Sequence, residues 1–249
     1  MPDLHPTFAR MIARLERRSP LGEAGRNALL GLPYNFRKLA AGRHIVRDGD
    51  ETEHCALLLT GFAHRYKITG EGGRQIISIH MASEFVDLQN SLLGVADTSV
   101  QTLTETEVAL IPKGALEALA MSDPAVARAL WIDTLIDASI FREWVVNVGR
   151  RDSRARIAHL LCEFSLRLEA AGLARNHRYE LPMTQEQLAD AVGLTSVHVN
   201  RVLRQLAEEG LIRRDRRHIV IADWARLRDA GDFNERYLHH DAAAAQAEA

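Results

Sequence analysis

The stretch from residue 184 to 210, TQEQLADAVGLTSVHVNRVLRQLAEEG, leaves the backbone little choice. Leu188, Ala189 and Val192 repeat at helical spacing, and Gly193 follows where the chain must leave the helix. Thr195 or Ser196 is placed to cap a second helix, on which Val199, Val202, Leu203 and Leu206 form one apolar stripe. Two short helices joined by a three- to four-residue turn containing glycine describe a helix-turn-helix. Opposite the stripe stand Ser196, Val197, His198, Asn200, Arg201 and Arg204. Asn and Arg are the side chains whose donors and acceptors match adenine and guanine edges in a major groove.

The next eleven residues distinguish this unit from an ordinary helical hairpin with a solvated face. Leu211-Ile212, then the run RRDRR, then His218 to Ile221 read as strand, basic turn and strand. This is a wing, with Arg213, Arg214, Arg216 and Arg217 placed to track a phosphate backbone. Thr184 and Gln185 open the first helix, where backbone and side-chain donors suit a phosphate.

Charge supports the same division. Residues 150–228 hold 15 Lys and Arg against 10 Asp and Glu, a balance of +5. The whole chain carries −2, so the remainder is acidic at −7. A basic C-terminal third suits nucleic acid, and an acidic partner domain does not.

From Phe36 to Pro112 short apolar runs alternate with turn signals: Ile45-Val46, Cys55–Leu59, Phe62–Ile68, Gln75–His80, Val100–Leu103 and Val108–Ile111. Such spacing predicts an antiparallel barrel or sandwich. An amphipathic helix over 7–18 precedes it. Ser122 or Asp123, with Pro124 in the first turn, opens a helix running to about Arg150. On that helix Leu130, Thr134, Asp137, Phe141, Trp144 and Val148 follow the three-four alternation of a coiled-coil seam, which predicts a homodimer. The expected domains are therefore 1–121, a dimerisation helix over 122–150, and a winged unit over 151–232. The segment 233–249, ending AAAAQAEA, is expected to be a disordered tail.

Several classes are excluded or disfavoured. The chain has no apolar run long enough to span a membrane and no secretory leader, so a cytoplasmic protein is expected. Its two cysteines, Cys55 and Cys162, cannot supply a four-thiolate iron–sulfur cluster or zinc site. No spacing such as HExxH, GxSxG or GKS/T points to an enzyme.

An antiparallel roll, a long helix and a C-terminal winged helix-turn-helix, in this order, resemble the Crp/Fnr transcription regulators. The resemblance rests on GRHIVRDGD and LLLTGFAHRYKITGEGGRQI in the roll, DSRARIAHLL after the long helix, and the helix-turn-helix itself, covering roughly residues 35–225. It implies an α+β fold with a cyclic-nucleotide-binding-like roll, a homodimer, a palindromic double-stranded DNA site and contact with RNA polymerase. Nucleotide-binding members carry a Gly-Glu pair and a later Arg that meets the cyclic phosphate. The corresponding candidate pocket here is Ser83 and Glu84 with Asp97, Thr98 and Ser99, and no Arg stands between Arg74 and Arg128. An anionic phosphate beside Asp97 without a cation is poorly stabilised, which disfavours cyclic AMP. Haem-sensing members use axial ligands, for which His44, His54, His64 and His80 are the candidates in the roll, although a lone histidine there is more often structural. The effector stays unassigned. A glutamate usual early in the recognition helix is replaced by Val197, while Arg201 matches the family's base-reading arginine. The competing reading is a ligand- or haem-binding adaptor whose winged helix serves protein contacts.

Overall fold

The computed structural model describes residues 5–240, so the end of the expected tail, AAAAQAEA, lies outside the described residues. The chain divides into two compact units. One holds the described residues up to 67 together with 78–138; the other holds 68–77 with 139–238.

In the first unit α1 (Pro6–Glu16) and α2 (Gly22–Leu30) precede β1 (Asn35–Leu39), β2 (His44–Val46), β3 (His54–Leu58), β4 (Phe62–Ile68) and β5 (Arg74–Met81). After the short α3 (Asn90–Leu93) come β6 (Ser99–Thr102), β7 (Thr106–Pro112), α4 (Lys113–Ser122) and α5 (Pro124–Arg150). The strands form two antiparallel sheets, ordered β1-β7-β3 and β2-β6-β4-β5. The six runs read from the sequence correspond to β2–β7; β1, α2 and α4 were not legible in it.

Strand β3 shows why the run CALLL is apolar on both faces. Successive side chains point to opposite sides. Cys55 and Leu57 face a core built with Phe8, Met11, Leu15, Ile111 and Val126 from the helices and β7. Ala56 and Leu58 face a second core with Val46, Ala63, Val86, Val100 and Val108 between the sheets. Helix α1 is further tied to α5 by Arg14 and Arg18, both of which donate to Asp133.

Asp123, not Ser122, caps α5: its Oδ1 accepts from Ala125 N at 2.9 Å and Val126 N at 3.2 Å. Along this helix most residues of the expected seam are engaged within the chain itself. Leu130 belongs to the first unit's core and Trp144 is buried in the second unit. Asp137 receives Arg65 Nη1 at 2.9 Å. Thr134 and Val148 are half-buried, and of the six seam residues only Phe141 is exposed. An open stripe lies one residue later at each step, Trp131, Leu135, Arg142, Val145 and Gly149, with Ala138 half-buried among them. Trp131 is 67% exposed, Leu135 49% and Val145 53%. One residue is about 100° of helix rotation, so the two stripes occupy different faces.

The second unit comprises the hairpin tip at 68–77, the end of α5, α6 (Ser153–Ala170), β8 (Arg178–Glu180), α7 (Gln185–Val192), α8 (Ser196–Glu208), β9 (Ile212–Asp215), β10 (His218–Ile221) and α9 (Trp224–Ala230). The tip joins this unit through Arg74 Nε, which donates to Asp190 Oδ2 at 2.6 Å. Asp152 caps α6 by accepting from Ala155 N. The tail does not begin at 233. Phe233 and Leu238 are buried, residues 235–238 form a 3-10 turn, and Tyr237 OH donates to Glu163 Oε2 at 2.8 Å. An aromatic residue every few positions supplied enough apolar area to hold this segment down. Among the described residues no helix is long and apolar enough to cross a membrane.

Candidate nucleic-acid interface

The helix-turn-helix is built by local chemistry at each corner. Thr184 and Gln187 make a reciprocal cap on α7: Thr184 Oγ1 accepts from Gln187 N, and Gln187 Oε1 accepts from Thr184 N. The backbone N–H of Thr184, expected to be open to a phosphate, is therefore engaged. Gly193 ends α7 at φ 64°, a left-handed conformation that side chains rarely adopt, and Leu194 N returns to Ala189 O. Thr195 caps α8 by accepting from His198 N at 3.3 Å. The stripe Val199, Val202, Leu203 and Leu206 is buried as its spacing requires.

With that stripe inward, Val197, Asn200, Arg201 and Arg204 share the opposite face at steps of three and four. Val197 is 80% exposed, and Ser196, Arg201 and Arg204 are exposed beside it. An apolar side chain this open on a polar helix face has no partner to bury it within the unit. Arg201 Nη2 lies 2.7 Å from His198 Nε2, which also meets Ser153 Oγ at 3.1 Å. Because a guanidinium only donates, His198 Nε2 accepts here and its ring proton sits on Nδ1.

The wing is a hairpin of β9 and β10 turning at Arg216, whose φ is 53°. It carries a third strand, β8, paired to β10, which the sequence pattern did not reveal. Arg213, Arg216 and Arg217 are exposed. Arg214 differs from them: its Nε donates to Arg216 O at 3.0 Å and its Nη1 to Asn200 Oδ1 at 3.3 Å. Gln185 Nε2 donates to the same oxygen at 3.1 Å. Two residues expected on phosphates thus also hold the recognition helix.

The candidate effector residues of the roll serve two hydrogen-bonded turns. Ser83, at φ 76°, gives its carbonyl to Arg14 Nε, and Glu84 Oε2 accepts from Met81 N. Ser99 Oγ accepts from Asp48 N, and Thr98 Oγ1 meets Asp97 Oδ1 at 3.3 Å. A more unusual carboxyl lies at Asp87, which the sequence does not single out because an isolated Asp in an apolar run gives no signal. It is buried, its Oδ1 accepts from Ala56 N at 2.7 Å, and burial pushes its pKa up to about 7 against the opposing pull of that bond and of Arg65. Arg65 reaches the carbonyl of Val86 at 2.7 Å as well as Asp137. Of the roll histidines, His44 Nε2 bonds Tyr66 OH, His80 Nε2 bonds Ser78 Oγ, and His64 is fully buried. His54 is half-buried on β3. Among the described residues no three His, Cys, Asp or Glu stand together as a metal site.

A family profile described as a Crp-like helix-turn-helix domain matches residues 155–230, and one described as a cyclic nucleotide-binding domain matches residues 36–123. The chain is 30% identical over 205 residues to the transcriptional activator protein FnrL of Cereibacter sphaeroides, spanning 80% of this chain and 82% of that protein. It is also 30% identical over 186 residues to the nitrogen fixation regulation protein FixK of Rhizobium meliloti, spanning 72% and 79%. The solved structure of FixK2 from Bradyrhizobium japonicum superposes with a TM-score of 0.74 at 26% identity, over 80% of this chain and 98% of that one. These are regulators rather than enzymes, and their roll, long helix and winged unit occur here in the same order. The chain belongs to the Crp/Fnr family of DNA-binding transcription regulators.

Proposed function

We propose that this regulator binds a pseudo-palindromic duplex as a homodimer, reads the major groove with α8, and acts on RNA polymerase in the cytoplasm. The observation that carries this reading is the face of Val197, Arg201 and Arg204, all exposed, with the half-buried Asn200 between them, beside a basic hairpin. Guanidinium forks and a lone exposed apolar side chain match guanine edges and thymine methyls. The arginines of the wing suit phosphates, whose contacts fix register without reading sequence. The relatives include an activator, FnrL, and activation is the direction we assign here.

The dimer is supported by the open stripe on α5. A tryptophan, a leucine and a valine at steps of four and ten residues, Trp131, Leu135 and Val145, leave apolar area in water that a twin helix would bury. Arg142 within the stripe sets a polar limit to the packed seam.

We infer further that the signal is not a cyclic nucleotide. Apolar side chains pack between the sheets, and the cation Arg65 is already engaged by Asp137 and the Val86 carbonyl. Neither is an iron–sulfur cluster supported: Cys55 and Cys162 are buried in apolar cores, and burial pushes the Cys55 thiol up to about 12. For haem, His44 and His80 would each have to give up the bond that Nε2 makes to Tyr66 or Ser78. Selection of duplexes from a randomised library with the purified protein tests the proposal; enrichment of an inverted repeat supports it, and failure to enrich any sequence contradicts it.

A further inference from the structure

Asn200 sits on the open face of α8, between Val197 and Arg204, and its amide is held from two sides. Gln185 Nε2, on α7, donates to its Oδ1 at 3.1 Å, and Arg214 Nη1, in the wing, donates to the same atom at 3.3 Å. A guanidinium carries no acceptor, so the atom it meets is the amide oxygen and not the nitrogen. With the Arg214 guanidinium on that oxygen, turning the amide over would set N–H against N–H at that contact, although the Gln185 amide could turn with it. The orientation is fixed before any duplex arrives. Among the described residues no protein group accepts from Nδ2.

We propose that Asn200 is a specificity-determining residue that presents a donor-only group to the bases. An asparagine with a free amide pairs with adenine by giving to N7 and accepting from N6. Asn200 has lost the accepting half to Gln185 and Arg214, so adenine can use only its N7 and leaves its N6 amino donor unanswered, and Asn200 favours guanine, whose O6 and N7 both accept, or thymine, through O4. Gln185 and Arg214 are then positioning residues, which link phosphate-side elements to base choice. This inference rests on α8 being the recognition helix.

The test is base selection from a randomised duplex library by wild type and four variants. In wild type, one position per half-site should favour guanine or thymine over adenine, and Asn200→Ala, which suits a helix surface, should flatten that position alone by roughly tenfold. Asn200→Asp keeps an acceptor for Gln185 and Arg214 but turns an acceptor outward, so the same position should move towards cytosine or adenine, which present amino groups. Arg214→Ala should broaden this position, whereas Arg217→Ala should weaken all sequences without broadening it. Adenine favoured at the position that Asn200→Ala flattens, or an unchanged profile in Asn200→Ala, overturns the inference while leaving the DNA-binding reading intact. If wild type enriches no sequence, that reading falls and this inference falls with it.

Discussion

Trp144 Nε1 donates to both carboxylate oxygens of Glu163, at 3.1 and 2.9 Å. Glu163 also accepts from Arg167 and from Tyr237, so α5, α6 and the C-terminal segment share one buried anion. A buried carboxylate is tolerated when its lone pairs are filled in this way. The consequence for α5 is directional: the Trp144 face points into its own unit, whereas Trp131, Leu135 and Val145 stay exposed.

Trp131→Glu together with Leu135→Glu should therefore yield folded monomers, with far-ultraviolet circular dichroism unchanged and tight duplex binding lost. Trp144→Ala should instead lower thermal stability, by about 3–5 kcal/mol as for other buried tryptophans, without selectively dissociating the dimer. Analytical ultracentrifugation and thermal melts separate the two; a dimer that survives the Trp131 and Leu135 changes would displace the seam.

Which face of α5 stays open was not legible in the sequence. Helix α5 is apolar on most sides, and the stripes through Trp144 and Val145 both satisfy a three-four alternation. What decides between them is the acid Glu163 on α6 and the cation Arg65 on β4, partners far away in the chain. The helix-turn-helix was legible because its determinants are local: the Thr195 cap, Gly193 at positive φ, and a stripe of four apolar residues. The clamp on Asn200 was not, since it needs the wing to fold back over α8. Phe233 and Tyr237 show the same limit, because composition alone makes a segment near a low-complexity end resemble a tail.

Asp87 provides a test by pH. Its folded pKa is raised to about 7 by burial, above its ordinary carboxyl value, so the folded protein keeps a proton that the unfolded chain releases. The stabilisation this gives is complete below the unfolded pKa and is lost as pH rises towards 7, at up to about 1.4 kcal/mol per pH unit. Asp87→Asn keeps an oxygen for Ala56 N and removes the titration. Its stability relative to wild type, from denaturant unfolding between pH 4.5 and 7.5, should rise with pH; a difference that stays flat would show that Asp87 titrates normally.

Arg201 and Arg217 should behave differently on DNA. Arg201→Ala should cost roughly 1–3 kcal/mol per half-site and relax one base position. Arg217→Ala should weaken preferred and scrambled duplexes alike and lower the salt slope by about one unit. Titrations of both duplexes at several salt concentrations check this; equal losses on both duplexes for Arg201→Ala would make it a phosphate contact.

The most direct test of the central claim is the geometry of the duplex the protein selects. Two α8 helices related by a dimer axis should enter successive major grooves about 34 Å apart, which corresponds to half-sites about 10 base pairs apart. Selection followed by stoichiometry on the winning duplex should give an inverted repeat with that spacing and two chains per duplex. A single half-site bound by one chain, with no loss of affinity when the second half-site is scrambled, would contradict the claim.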